Sequence, residues 1–236
     1  MIDLHWATVT TIIFGMIFVF LGAGLPVAVA LGSVGIASTF FFLQGKGMGI
    51  IGYAAWDMSN SFILGAVPLF IFMGQLLLHS GISQRLYEGS TAMMGKAKGG
   101  LLQTNIFACA IFATISGSSV ATAATVGYMA VPEMEKRGYD RRMTMGSLAA
   151  GGTLGILIPP STSMIIYGVM VEQSIGQLFI AGILPGIMLA FLFMAYIWMA
   201  VARRPELAPV FEIMAWRDRL AKIILMWPIF LIMSVV

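Results

Sequence analysis

The residues of this chain with chemistry to offer are hydroxyls and backbone oxygens, and they cluster at two places. Ser116-Gly117-Ser118-Ser119 interrupts one apolar stretch, and Ser161-Thr162-Ser163 follows the pair Pro159-Pro160 in another. Carbonyl and hydroxyl oxygens suit small hard cations. Backbone N–H groups freed at the start of a helix suit anionic groups. Ser118, Thr122 and Thr125 fall at i, i+4 and i+7, which predicts one polar helical face in an apolar segment. The same residue types also glue transmembrane helices together, so packing is the competing reading of the first cluster.

Other chemistries have little to work with. Cys109 is the single cysteine, so neither an internal disulfide nor a thiolate metal site can form. The two histidines, His5 and His79, lie near the ends of apolar runs. A hydrolase using Ser118 or Ser119 as nucleophile needs a base within hydrogen-bond reach, and His79 is the only plausible one. An enzyme is therefore not expected.

Something must hold these clusters away from water. Of the 236 residues, 59% are apolar and 10% charged, and the mean hydropathy is +0.95. A soluble domain carries about 25% charged residues, so lipid is expected to cover much of this surface. The net charge of +3 does not suggest nucleic acid. The start Met1-Ile2-Asp3-Leu4-His5-Trp6 lacks the basic n-region of a signal peptide, so Val9 to Leu25 reads as a retained span.

A spanning helix needs about 20 apolar residues. Residues 8–25, 27–43, 61–79, 143–171 and 178–201 meet or approach that, and a further apolar run begins near Ala221. Pro26 marks a turn between the first two. Basic residues gather after 61–79, after 101–131 and after 178–201, while Lys46 alone falls on the other side. The positive-inside rule then places the N-terminus in the periplasm. Ile82 to Lys98 is less apolar and reads as an amphipathic helix along the cytoplasmic interface, or as a plain connector.

Leu101 to Ile115 and Val120 to Val131 are too short to span singly. They predict a re-entrant hairpin with Ser116-Gly117-Ser118-Ser119 at its tip and its second arm closed by Pro132. The stretch 143–171 is too long for one span. Its glycines and Pro159-Pro160 predict a helix ending near Gly155 to Ile158 and a half-helix starting near Pro160. A proline kink without a ligand is the competing reading. Broken helices of this kind carry ion and substrate sites in transporters. No Asp, Glu, Lys, Arg or His lies deep inside a proposed span, which favours sodium over protons as a coupling ion.

The ordered series Ser116-Gly117-Ser118-Ser119-Val120-Ala121-Thr122-Ala123-Ala124-Thr125, Pro132-Glu133-Met134, Arg137-Gly138-Tyr139-Asp140, Leu154-Gly155-Ile156-Leu157-Ile158-Pro159-Pro160-Ser161, Tyr167-Gly168, Leu178-Phe179, Ala181-Gly182 and Pro185-Gly186 resembles the large membrane subunit of tripartite ATP-independent periplasmic (TRAP) transporters. The resemblance implies an all-α polytopic membrane protein, one half of an inverted-repeat elevator-type transporter in the bacterial inner membrane. It implies sodium-coupled import of a small organic acid, a small four-helix membrane subunit and a periplasmic substrate-binding protein as partners, and no cofactor beyond the sodium ion. Carried residue by residue, it implies sodium ligation at Ser116, Gly117, Ser118, Ser119, Gly155 and Pro159, and puts Pro160 and Ser161 at the site. Thr122, Thr125, Thr162 and Ser163 join these two as the expected substrate-facing set. Three regions follow: 1–100 with three spans and the interfacial helix, scaffold-like; 101–171 with hairpin and discontinuous helix, transport-like; 172–236 with a span, a cytoplasmic linker and the start of a second repeat. Family members carry a second hairpin and second broken helix, and no second copy follows Pro185, so the chain reads as an N-terminal half. An inactive fragment or a non-transporting scaffold is the alternative.

Overall fold

A computed structural model describes residues 5–43, 47–60, 62–95, 97–209, 216–229 and 231. All regular structure among them is helical. The chain divides into two compact units, residues 1–61 and 62–236.

The first unit holds α1 (Trp6–Gly22), α2 (Val27–Phe42) and α3 (Met48–Ser59). The predicted turn at Pro26 is present: Gly24 takes φ +81° and Pro26 becomes the N-cap of α2. No element was expected over Met48–Ser59, where Gly49, Gly52 and Asp57 obscure the apolar pattern, yet a 12-residue helix forms. Lys46 lies outside the described residues.

The second unit holds α4 (Phe62–His79), α5 (Ile82–Met94), α6 (Leu101–Ser116), α7 (Ser119–Lys136), α8 (Arg141–Leu157), α9 (Thr162–Met170), α10 (Ile175–Arg203) and α11 (Trp216–Ile224). The core sits on α6. Leu101, Leu102, Ile106, Cys109, Phe112 and Ile115 are all buried, as expected of a helix apolar on every side. It packs against α4, α5, α7, α8 and α10.

Buried polar groups in this core are paired across helices. The Asn105 amide on α6 donates to Ser147 Oγ on α8 at 2.9 Å, while the Tyr87 hydroxyl on α5 donates to Asn105 Oδ1 at 3.2 Å. Thus α5, whose sequence reads as a stretch along an interface, buries Ser83, Leu86, Tyr87 and Ser90 in protein. Its C-terminal end is capped from α11, where Arg219 donates to the carbonyls of Ala92 (2.6 Å) and Met93 (2.9 Å), a favourable cation at a helix C-terminus.

The α7–α8 turn explains the Pro132–Asp140 motif. Arg137 pairs with Glu133 at 2.7 Å, and Asp140 caps α8 by accepting from the Met143 N–H at 2.8 Å. The Tyr139 hydroxyl accepts from the Leu101 N–H at 3.1 Å, tying the turn to the start of α6. Burial raises the pKa of that hydroxyl above its ordinary value, so it stays protonated.

One expectation is corrected: Pro132 does not close the second arm, because α7 runs through it to Lys136. Proline removes a single donor, and the next helical turn supplies its own bonds. The C-terminal apolar run also begins differently. Before Ala221 the chain is already helical, from Trp216, with Arg217, Asp218, Arg219 and Lys222 along it. Residues 232–236 lie outside the described residues.

Among the described residues, α10 alone is long and apolar enough to cross a bilayer, at 29 residues or about 44 Å. The pair α8 and α9 passes the same test together, bent by 41° at the break.

Candidate functional site

The hairpin tip and the helix break meet. Helix α6 ends on Gly117, whose φ of +57° lies in the left-handed region, where a side chain costs about 1–2 kcal/mol. Space forbids one as well: a Cβ there would stand 2.8 Å from Phe70 Cε1 and 3.0 Å from the Pro160 carbonyl oxygen. The Gly117 carbonyl accepts two bonds from Thr162, from its N–H at 3.2 Å and its Oγ1 at 3.0 Å. The first N–H groups of a helix have no partner within it, so the tip of one broken element satisfies the open end of the other.

Helix α8 makes a second contact with the tip. A Cβ on Gly155 would lie 2.6 Å from the Ser118 carbonyl oxygen and 2.9 Å from the Ser119 nitrogen. The absence of that atom lets the two backbones touch. Gly152, three residues earlier, faces Ala123 and the Ser119 carbonyl in the same way.

Within the tip, Ser118 is the N-cap of α7 in extended conformation, its Oγ accepting from the Ala121 N–H at 3.4 Å. Ser116 Oγ and Thr122 Oγ1 bond each other at 2.7 Å. The predicted single face of Ser118, Thr122 and Thr125 is therefore divided. Ser118 and Thr125 line a cleft of about 670 Å³ with Gln75, Ser83 and Tyr128, while Thr122 is fully buried against Ser116. The i, i+4 count fails because Ser118 is a cap and not a helical residue.

At the break, Leu157 ends α8, Ile158 is extended, and Pro159-Pro160 is a cis peptide. Ser161 then opens α9 as an N-cap whose side chain makes no capping bond. Ser161 is fully buried and its Oγ has no partner, which costs about 1–3 kcal/mol in an apolar setting. Pro159, Pro160 and Thr162 are half-buried, and Ser163 is exposed on α9. Tip and break thus bring together Gly117, Ser118, Ser119, Gly155, Pro160 and Thr162, with Ser161 adjoining and Ser163 exposed next to them on α9.

The oxygens here are hydroxyls and carbonyls. No group of three His, Cys, Asp or Glu side chains that could hold a metal occurs among the described residues. The orphaned Ser161 hydroxyl and the carbonyls at the two helix ends could hold a small hard cation without any carboxylate.

Sequence reasoning missed Phe70, Asn105 and Ser147. It took the glycines of α8 as helix weakeners, and Gly155 also as a sodium ligand, but not as points of close helix packing. A signal was present: Gly151 and Gly155, like Gly182 and Gly186, are small residues four apart, the pattern of close helix approach. Gly182 and Gly186 seat α10 against Leu157 and Ile158 at the break.

A helical protein whose hairpin tip docks on an apolar broken helix has the build of a membrane transporter. Residues 14–236 match the family described as the tripartite ATP-independent periplasmic transporter, DctM component. The chain belongs to that family, which is one of permeases and not of enzymes. It is 36% identical over 185 residues to the isethionate TRAP transporter permease protein DctMQ of Oleidesulfovibrio alaskensis, covering 78% of this chain and 29% of that protein. It is 34% identical over 193 residues to the C4-dicarboxylate TRAP transporter large permease protein DctM of Rhodobacter capsulatus (76% and 44%). Over 212 residues it is 34% identical to the 2,3-diketo-L-gulonate TRAP transporter large permease protein YiaN of Escherichia coli (88% and 48%). The chain spans less than half the length of each.

Proposed function

We propose that this chain is the N-terminal half of a large permease subunit that imports a small organic acid with sodium, across the bacterial inner membrane. The observation that carries it is the double hydrogen bond from Thr162 to the Gly117 carbonyl, which joins hairpin tip and helix break into one oxygen-rich locus. Sodium would be held by carbonyls and hydroxyls drawn from Ser116, Gly117, Ser118, Ser119, Gly155 and Pro159. The substrate would lie against Thr125, Pro160, Ser161, Thr162 and Ser163, where the start of α9 offers a positive end to a carboxylate. The relatives' names, isethionate, C4-dicarboxylate and diketo-gulonate, support an organic anion.

On this reading residues 101–171 form the moving, transport-like part in an elevator mechanism and residues 1–100 are scaffold-like. The N-terminus is periplasmic. A small four-helix membrane subunit and a periplasmic binding protein complete the system. The test is Ser118→Ala and Pro160→Ala in the complete protein. Both are expected to lower sodium-dependent uptake while membrane insertion stays normal. Normal uptake with normal sodium dependence in both variants refutes the site.

A second reading, a non-transporting scaffold, draws support from the bond between Ser116 and Thr122, which satisfies both hydroxyls by packing alone. It predicts that Ser118→Leu leaves uptake unchanged, since packing needs no ion ligands.

A further inference from the structure

Between α6 and α10 runs a crevice of about 330 Å³ whose walls include Phe107, Ala110, Ile158, Ala190, Phe191 and Met194. Every one of these side chains is apolar, so the crevice offers nothing to a soluble organic acid. Its shape follows from two helical faces. Gln103, Phe107 and Ala110 share one face of α6, and Phe191, Met194 and Trp198 follow one another along α10 at helical spacing.

The end of this crevice near the start of α6 is different. The Lys98 ammonium stands 5.4 Å from the centre of the Trp198 ring. No carboxylate pairs with Lys98 among the described residues. Gln103 is 3% exposed. Its amide nitrogen donates to the carbonyls of Lys98 (3.2 Å) and Met194 (2.9 Å), which settles which way the amide points, because carbonyls cannot donate. Its Oε1 has no partner. Gln103 thus ties the start of α6 to α10, one helical turn from Phe107 in the crevice wall. A cation and an interfacial tryptophan stand together at the mouth of an apolar slot. Lysine and tryptophan are the residues of the membrane–water boundary, and basic pockets between helices on the cytoplasmic side bind anionic headgroups.

We propose that this crevice is a phospholipid site, with one acyl chain of a phosphatidylglycerol between α6 and α10. Its phosphate sits at Lys98, beside Trp198. The chain reaches Ile158, the extended residue that follows α8 immediately before Pro159-Pro160. The lipid therefore fills the space behind the helix break. This assignment needs only that the chain sits in a bilayer and is independent of which ion drives transport.

The complete protein in detergent is titrated with phosphatidylglycerol and with phosphatidylcholine of the same acyl chains, and bound lipid is counted by native mass spectrometry. The wild type is expected to retain one phosphatidylglycerol and to prefer it over phosphatidylcholine. Lys98→Gln is expected to cut that preference by about fivefold. Ala110→Phe and Ala190→Phe, which fill the crevice from opposite walls, are expected to lose the retained lipid. A readout that needs no filling variant is quenching by phosphatidylglycerol brominated on its acyl chains, which should fall in Trp198→Phe. Equal retention of both lipids by wild type and Lys98→Gln overturns the headgroup assignment. Folded Ala110→Phe and Ala190→Phe proteins that keep the lipid overturn the crevice. A wild type that holds no lipid and shows no Trp198 quenching overturns both, and means that the rest of the protein covers this face.

Discussion

The oxygen of Gly117 accepts both the N–H and the hydroxyl of Thr162, at 3.2 and 3.0 Å, across 45 residues of sequence. Two elements that each leave backbone groups open in an apolar medium close on each other. Removing the hydroxyl while keeping the side chain's shape separates its share. Thr162→Val is expected to weaken the tip–break contact by about 1 kcal/mol. In the complete protein, half-maximal uptake should need about fivefold more sodium, with insertion unchanged. Sodium dependence identical to wild type would show that this hydroxyl has no part in the site.

Gly155 tests close approach. A methyl on it meets the Ser118 carbonyl oxygen at 2.6 Å and the Ser119 nitrogen at 2.9 Å, and both of these belong to backbone. Gly155→Ala should therefore destabilise by about 1–3 kcal/mol, as overpacked sites do. Gly146 lies on the same helix with nothing within 4 Å of its added Cβ. Gly146→Ala should be neutral or stabilise by up to about 1 kcal/mol through helix propensity. The purified Gly155→Ala variant should melt lower than wild type while Gly146→Ala does not, and a rise in both would mean that helix propensity governs both.

Asn105 links α5, α6 and α8 through Tyr87 and Ser147. Asn105→Leu keeps much of the volume but strands the buried Tyr87 hydroxyl, at about 1–3 kcal/mol. A lowered melting temperature with unaltered sodium dependence is expected. The reverse result, normal melting with altered sodium dependence, would move Asn105 from the framework into the site.

Arg219 holds α11 on the end of α5. Arg219→Met removes both bonds and the favourable charge at the helix terminus, about 1–2 kcal/mol together. Limited proteolysis should cut faster around α11, and added salt should narrow the difference from wild type. Equal cutting rates would show that packing of Met226 under Gly89 suffices to dock the helix.

The tip (Ser116 to Ser119) and the break (Ile158 to Thr162) consist of serine, glycine, isoleucine, proline and threonine, none of which titrates near neutrality. On the sodium reading, uptake at saturating sodium should stay flat between about pH 6 and about pH 8, where histidines and coupling carboxylates in pumps change charge. A steep rise towards acid would point to a proton carried by residues outside this chain's site.

Composition alone determined that this chain is built for an apolar medium, because 10% charge cannot coat a soluble surface. Local backbone chemistry placed both interruptions. Ser116-Gly117-Ser118 ends one helix and caps the next, and Pro159-Pro160 breaks another, since glycine and proline act on their own turn without help from distant residues. Tertiary structure decided the rest. That the two interruptions touch, that Thr122 turns inward while Thr125 lines a cleft, and that α5 is buried all depend on partners far apart in sequence. Pro132 is the instructive case: proline lowers helix stability locally, but the packing of Met134 in the core carries the helix through it. The glycines of α8 show the same limit, since the pattern of small residues is visible in the sequence while the backbone that approaches them is not.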